Sequence, residues 1–165
     1  MADPIVQVAG LATIKVAEGT SLAFEVAGYT DNGATIRFEA FHGDVPGDEN
    51  GGDQGPPVEV QYFGEIAHIR LALTKQVKAV IDKIAARVAG AAAGVVADAG
   101  TLMFKDENAY GLLIDTPTDP YYFPVAIPRG AREVNRGTVF ERHILELTAY
   151  KNSAGLLYSR SVPGG

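Results

Sequence analysis

Most of this chain reads as short β-leaning runs, and the apolar residues switch to helical spacing once. Val77, Ile81, Ile84 and Val88 recur three or four positions apart, with Lys75, Lys78, Asp82, Lys83 and Arg87 arranged on the other side and Thr74 placed as an N-cap. The spacing predicts one helix over about residues 74–89 whose apolar stripe packs on a sheet. Everything else must then be built from strands. With 165 residues the chain is long enough to bury a core without cross-links, which predicts a single domain over residues 1–165.

The strand signals are short and closely spaced. Residues 11–16 and 22–27 read as an antiparallel pair joined through Glu18-Gly19-Thr20-Ser21. Thr30-Asp31-Asn32-Gly33 reads as a turn, and residues 35–41 follow with Ile36, Phe38 and Ala40 on one face. Residues 58–73 form a long β run, and Gly64 marks a bulge or bend within it. Later strands are expected at 101–104, 110–115, 139–150 and 156–159. Pro117, Pro120, Pro124 and Pro128 hold the intervening segment extended, as suits a sheet edge. About eight strands and one helix in this order predict a mainly β fold, either a β-sandwich or a partly closed barrel with one flanking helix.

Between two of these strands lies His42 to Pro57, a stretch rich in Gly, Pro and acids that cannot pack a core. Compact domains seldom carry so long a connection without a use for it. Asp44, Asp48, Glu49 and Asp53 supply oxygen ligands, but their spacing is not that of an EF-hand, and no metal site is assigned. The expectation is an arm that orders against a neighbouring copy of the same chain. Its complement is a cationic patch of Arg129, Arg132 and Arg136, next to the proline-stiffened segment that Tyr121 and Tyr122 would anchor. Contacts of that kind run head to tail, and they generate rings or filaments.

No catalytic signature competes with this reading. The net charge of −6 argues against a strand-tracking nucleic-acid binder, which needs a concentrated basic footprint. Cysteine is absent, which removes disulfides, thiolate nucleophiles and Cys-based zinc sites. His42, His68 and His143 are not at metal-ligand spacing, and Gly90 and Gly94 follow a helix where a phosphate loop would precede one. No cofactor is expected. The most apolar window, residues 88–97, is about half the length of a membrane-spanning helix, and the first ten residues lack a basic-then-apolar leader, so neither a span nor a cleaved signal is expected.

The order of these parts resembles the tail tube (major tail) proteins of tailed bacteriophages and related injection machines. The resemblance is carried by a β-rich chain with a long loop between early strands, by Gly64-Glu65-Ile66-Ala67-His68-Ile69-Arg70-Leu71 leading into a single helix, and by the return to strands. The segments 110–128 and 137–150 also look like those of phage virion proteins. The resemblance implies a non-enzymatic subunit, made in the host cytoplasm and placed in the virion tail, that forms stacked hexameric rings. Its partners would be copies of itself and neighbouring virion proteins, with DNA as a transient passenger and no membrane. Net acidity suits a conduit that must not hold phosphates. Two other classes of reading stay open on the residues: another virion role, such as tail terminator, neck or head decoration, and a non-virion protein. The latter is either a small hydrolase or isomerase using His68 or His143, or a monomeric ligand-binding β-sandwich using Tyr121 and Tyr122.

Overall fold

The computed structural model describes residues 12–163 except 20, 91, 93, 105, 106, 118 and 138–141. Among the described residues the chain forms β1 (Thr13–Glu18), β2 (Glu25–Val45), β3 (Glu59–Gln76), α1 (Lys78–Ala85), β4 (Tyr110–Asp115), β5 (Tyr121–Ile127), β6 (Arg132–Asn135) and β7 (Arg142–Tyr150). Every pairing is antiparallel, in the order β3-β2-β1-β4-β5-β7-β6. A further ladder between β3 and β7, from Ala67↔Ala149 to Leu73↔His143, joins the first strand of this order to its sixth. Six strands therefore close on themselves as a barrel, and β6 extends the free edge of β7.

Period-two alternation fills the interior. Ile14 and Val16 of β1, Ile69, Leu71 and Leu73 of β3, Leu112 and Ile114 of β4, and Leu145 and Leu147 of β7 belong to one buried cluster. Each such side chain taken from water contributes on the order of 1.5–3 kcal/mol. Val80, Ile81 and Ile84 of α1 join the same cluster, so the helical stripe does pack on the strands.

The helix is shorter than its periodicity implies. Gln76 and Lys75 are still paired with Gly28 and Tyr29 of β2, so Thr74 lies in a strand and its hydroxyl donates to the Tyr29 carbonyl instead of capping a helix. The sheet ladder outcompetes helix formation there, and Val77 becomes the N-cap without a side-chain bond. At the other end Arg87 takes φ = 71°, a left-handed conformation that usually calls for glycine. Its guanidinium donates to the carbonyls of Pro128 (2.7 Å) and Gly130 (2.8 Å), holding the helix exit against the β5–β6 connection. The buried Tyr110 hydroxyl donates to the Lys83 carbonyl at 2.9 Å, and burial pushes this phenol above its ordinary value of 10.0.

Several expected boundaries move for identifiable reasons. Thr30 to Gly33 is not a turn: Thr30 pairs with Leu73 and Ala34 with Leu71, so the extra residues form a bulge inside the continuous strand β2. Gly33, with φ = 75°, supplies at this bulge the conformation that also makes Asn-Gly a turn signal. Pro124 lies in an interior strand, since β5 pairs with both β4 and β7; register slips here, with Tyr110↔Ala126 but Leu112↔Phe123, and the bulge accommodates the missing N–H. Residues 101–104 form no strand, and Ser159 contributes only an isolated bridge to Tyr122. Arg132–Asn135 is a strand that the sequence did not announce, because its side chains are mostly exposed. The expected start of the last strand at 139 lies outside the described residues. Gly64 does mark a bulge, with φ = 130° and register slipping between Phe41 and His42.

Arg87→Ala keeps the left-handed backbone and loses both hydrogen bonds, so urea unfolding should show a loss of about 2–3 kcal/mol. Arg87→Gly loses the same bonds but relieves the backbone, and should recover about 1 kcal/mol of that loss. Equal losses would show that the backbone conformation carries no cost. For Tyr110, the raised phenol means that the fold favours the neutral form: its contribution is complete below pH 10 and falls as pH rises above that value. Melting temperature should therefore fall more steeply on the alkaline side in the wild type than in Tyr110→Phe.

Candidate functional site

The β2–β3 hairpin leaves the barrel as a two-stranded ribbon. Beyond Ala67, β3 has no strand partner except β2 among the described residues, and pairing of these two strands continues from Glu39↔Ile66 out to Val45↔Glu59. The predicted loop is thus partly strand, and only its tip is turn. Residues 48–50 and 52–54 make two short 3₁₀ turns, with Gly51 and Gly52 left-handed. Backbone bonds from Gly52 to Gly47 and from Val58 to Val45 tie the tip together. Pro46, Pro56 and Pro57 flank the tip and remove donors that would otherwise invite edge pairing.

Isolated two-stranded ribbons are marginal in water. This one also exposes its apolar side chains: Tyr62 is 58% and Phe63 62% accessible, and Phe41, Val45, Val58 and Val60 are exposed too. The Phe63 ring lies across Gly43, where an added Cβ would sit 2.4 Å from it, and Tyr62 meets His42 with ring centroids 5.6 Å apart. Asp44, Asp48, Glu49 and Asp53 are exposed along the outer end and make no ion pair among the described residues.

At the root of the ribbon a cleft of about 400 Å³ opens over β2, β3 and β7, lined by Thr35, Arg37, His68, Arg70, Arg129 and Glu146 among others. Cross-strand register builds it, setting Arg70 opposite Thr35 and Glu146, and His68 opposite Arg37 and Thr148. Glu39 accepts from His68 at 2.9 Å and from Arg37 at 3.5 Å. Arg129 donates to the Tyr150 hydroxyl at 2.6 Å, whereas Arg70 makes no ion pair among the described residues even though Glu146 is its cross-strand neighbour. Arginine forks with open donors in a concave site are suited to carboxylate or phosphate.

The arginines expected to act together are separated. Arg129 lines the cleft, Arg132 lines a smaller depression beside Arg87 and Ile84, and Arg136 follows the end of β6 and lines neither. Arg37 and Arg70 take the places that sequence proximity had given to Arg132 and Arg136. Linear spacing cannot show this, since cross-strand register brings together residues more than thirty positions apart. Tyr121 and Tyr122 are also divided, because neighbours in a strand face opposite ways. Tyr121 packs against Tyr158 with the Arg160 guanidinium 4.6 Å above its ring, and Tyr122 meets Phe24 edge-on. They do not form one aromatic platform.

Among the described residues no group of three or more His, Asp or Glu converges as a metal site, and no helix is long and apolar enough to cross a membrane. The chain matches no protein-family model, no curated protein and no solved structure.

Because Tyr62 and Phe63 contribute little to the barrel, Tyr62→Ser with Phe63→Ser should shift unfolding free energy by no more than about 1 kcal/mol. Leu71→Ala in the closing ladder should cost about 2–5 kcal/mol. Chemical denaturation of the two variants side by side checks the contrast, and a large loss in the first would mean that the ribbon packs on the body.

Proposed function

We propose that this chain is a non-enzymatic structural protein of a tailed-phage virion that self-assembles, acting as the tail tube subunit. Copies form rings, six to a ring, that stack around a conduit for DNA. The observation that carries the reading is the two-stranded arm, which projects beyond the closed barrel with apolar side chains exposed to water. A ribbon of that kind gains stability when a neighbour covers it. Val96 and Phe104, also exposed on the segment before β4, offer a second apolar surface for lateral contact. The acidic balance of the chain favours passage of DNA over retention.

A second reading has one observation in its favour. His68 and Glu39 form a hydrogen-bonded pair beside the arginine-lined cleft, an arrangement that can serve general acid–base chemistry on an anionic substrate. Both side chains are about 40% accessible, so water reaches the pair and the cleft does not enclose it, and the structural reading is preferred.

Negative-stain imaging and light scattering of purified protein should show rings or tubes. Deleting Asp48 to Gly55, which joins Gly47 to Pro56, should leave the melting transition in place and abolish long assemblies. A strict monomer at all salt concentrations, or tubes of unchanged length and yield after the deletion, would overturn the assignment. Hydrolysis of a generic phosphoester or carboxyl ester that is lost in His68→Gln would favour the second reading.

A further inference from the structure

Charge is divided sharply along this chain. Between Arg37 and Arg70 there is no Lys or Arg, while Glu39, Asp44, Asp48, Glu49, Asp53, Glu59 and Glu65 all fall in that interval. The remainder carries 13 acids against 14 Lys and Arg and is nearly neutral, so the hairpin interval, at −7, accounts for the whole net −6. The two arginines that bound the acidic interval line the cleft at the root of the arm, together with Arg129.

We infer that this cleft is the receptor for the acidic arm tip of a second copy of the chain. The inference rests on the self-assembly reading above and names its contact. Three features select that occupant. Among the described residues the Arg70 fork makes no ion pair and the Arg129 side chain is bonded only to a phenol, so both retain donors for carboxylates. The tip presents Asp48, Glu49 and Asp53 on tight turns with no basic neighbour to neutralise them. The same molecule's tip cannot reach its own cleft: the paired ribbon between the Arg37↔His68 row and the Val45↔Glu59 row is eight residues long, roughly 27 Å of extended strand. Arm and cleft therefore satisfy each other only between copies. The contact uses different surfaces on its two sides, which makes it heterologous and capable of propagating into rings or stacks. Glu146 and Glu39 at the cleft help to set register, since a misplaced carboxylate meets repulsion there.

A charge-swap experiment tests this. One variant reverses the receptor, Arg37→Glu with Arg70→Glu, and another reverses the tip, Asp48→Lys with Glu49→Lys and Asp53→Lys. Circular dichroism melts first establish that each variant is folded. Each alone should require at least about tenfold more protein than the wild type to assemble, as read by light scattering at low salt. Mixing the two should restore assembly, because every tip then finds a cleft of opposite charge, and raising salt should weaken the wild type and the mixture alike. Assembly of either single-surface variant at the wild-type concentration would overturn the inference while leaving self-assembly intact. Failure of the mixture to assemble, with both variants folded, would do the same. If the wild type itself never assembles, the functional reading falls and the inference with it.

Discussion

The ladder between β3 and β7 is the constraint from which the rest follows. Seven residue pairs, Ala67↔Ala149 to Leu73↔His143, convert an open antiparallel sheet into a closed barrel and place Ile69, Leu71, Leu145 and Leu147 on one interior wall. Closure removes the two edges that an open sheet would leave exposed. It also fixes β3, which has its inner half in the wall and its outer half in the arm. A strand clamped on both sides over seven residues gives the arm a rigid base, so the direction of the arm is set by the barrel.

That ladder also makes the cleft. Its outward-facing row alternates with the one in the core, so the residues between Ile69, Leu71 and their partners (His68, Arg70, Glu146 and, buried at the floor, Thr148) line one face of the sheet together. The interior requirement for apolar residues at one parity leaves the other parity free for charge. The same ladder thus creates a hydrophobic wall inside and a polar depression outside, directly beneath the arm. Arg87 closes the arrangement from the far side by tying the helix exit to the Pro128–Gly130 corner, next to Arg129.

Much of this was legible in the residues. The β runs read at 11–16, 58–73, 110–115 and 139–150 fall on β1, β3, β4 and β7, the alternation at 35–41 lies within β2, and the single change of period found α1. What failed was punctuation. Asn32-Gly33 and Pro124 are breakers by local chemistry, yet each sits at a bulge within a strand, because long partners on both sides outweigh a local preference. Thr74 had the chemistry of an N-cap and was claimed by the ladder with β2. The acidic arm could be recognised by composition. Its complement could not: Arg129 was found, but Arg37 and Arg70 reach it only through register, and register is a property of pairing that no window of sequence contains.

An arm that is already ordered changes the energetics of assembly. A disordered loop of this composition would have to surrender its conformational freedom on contact, and that cost would fall on every interface formed. Here the paired strands, the two 3₁₀ turns and the Phe63 ring over Gly43 meet most of that cost within the folded chain. The tip prolines then close off association through backbone edges, which is cheap and indiscriminate. What remains for a neighbour to recognise is side chains: an apolar stripe along the ribbon and carboxylates at its end. Apolar contact of that kind supplies affinity without direction, whereas the charges have an orientation. A preordered arm with its acids at the far end and arginines at its root favours head-to-tail order over any other, and that preference distinguishes a growing assembly from an aggregate.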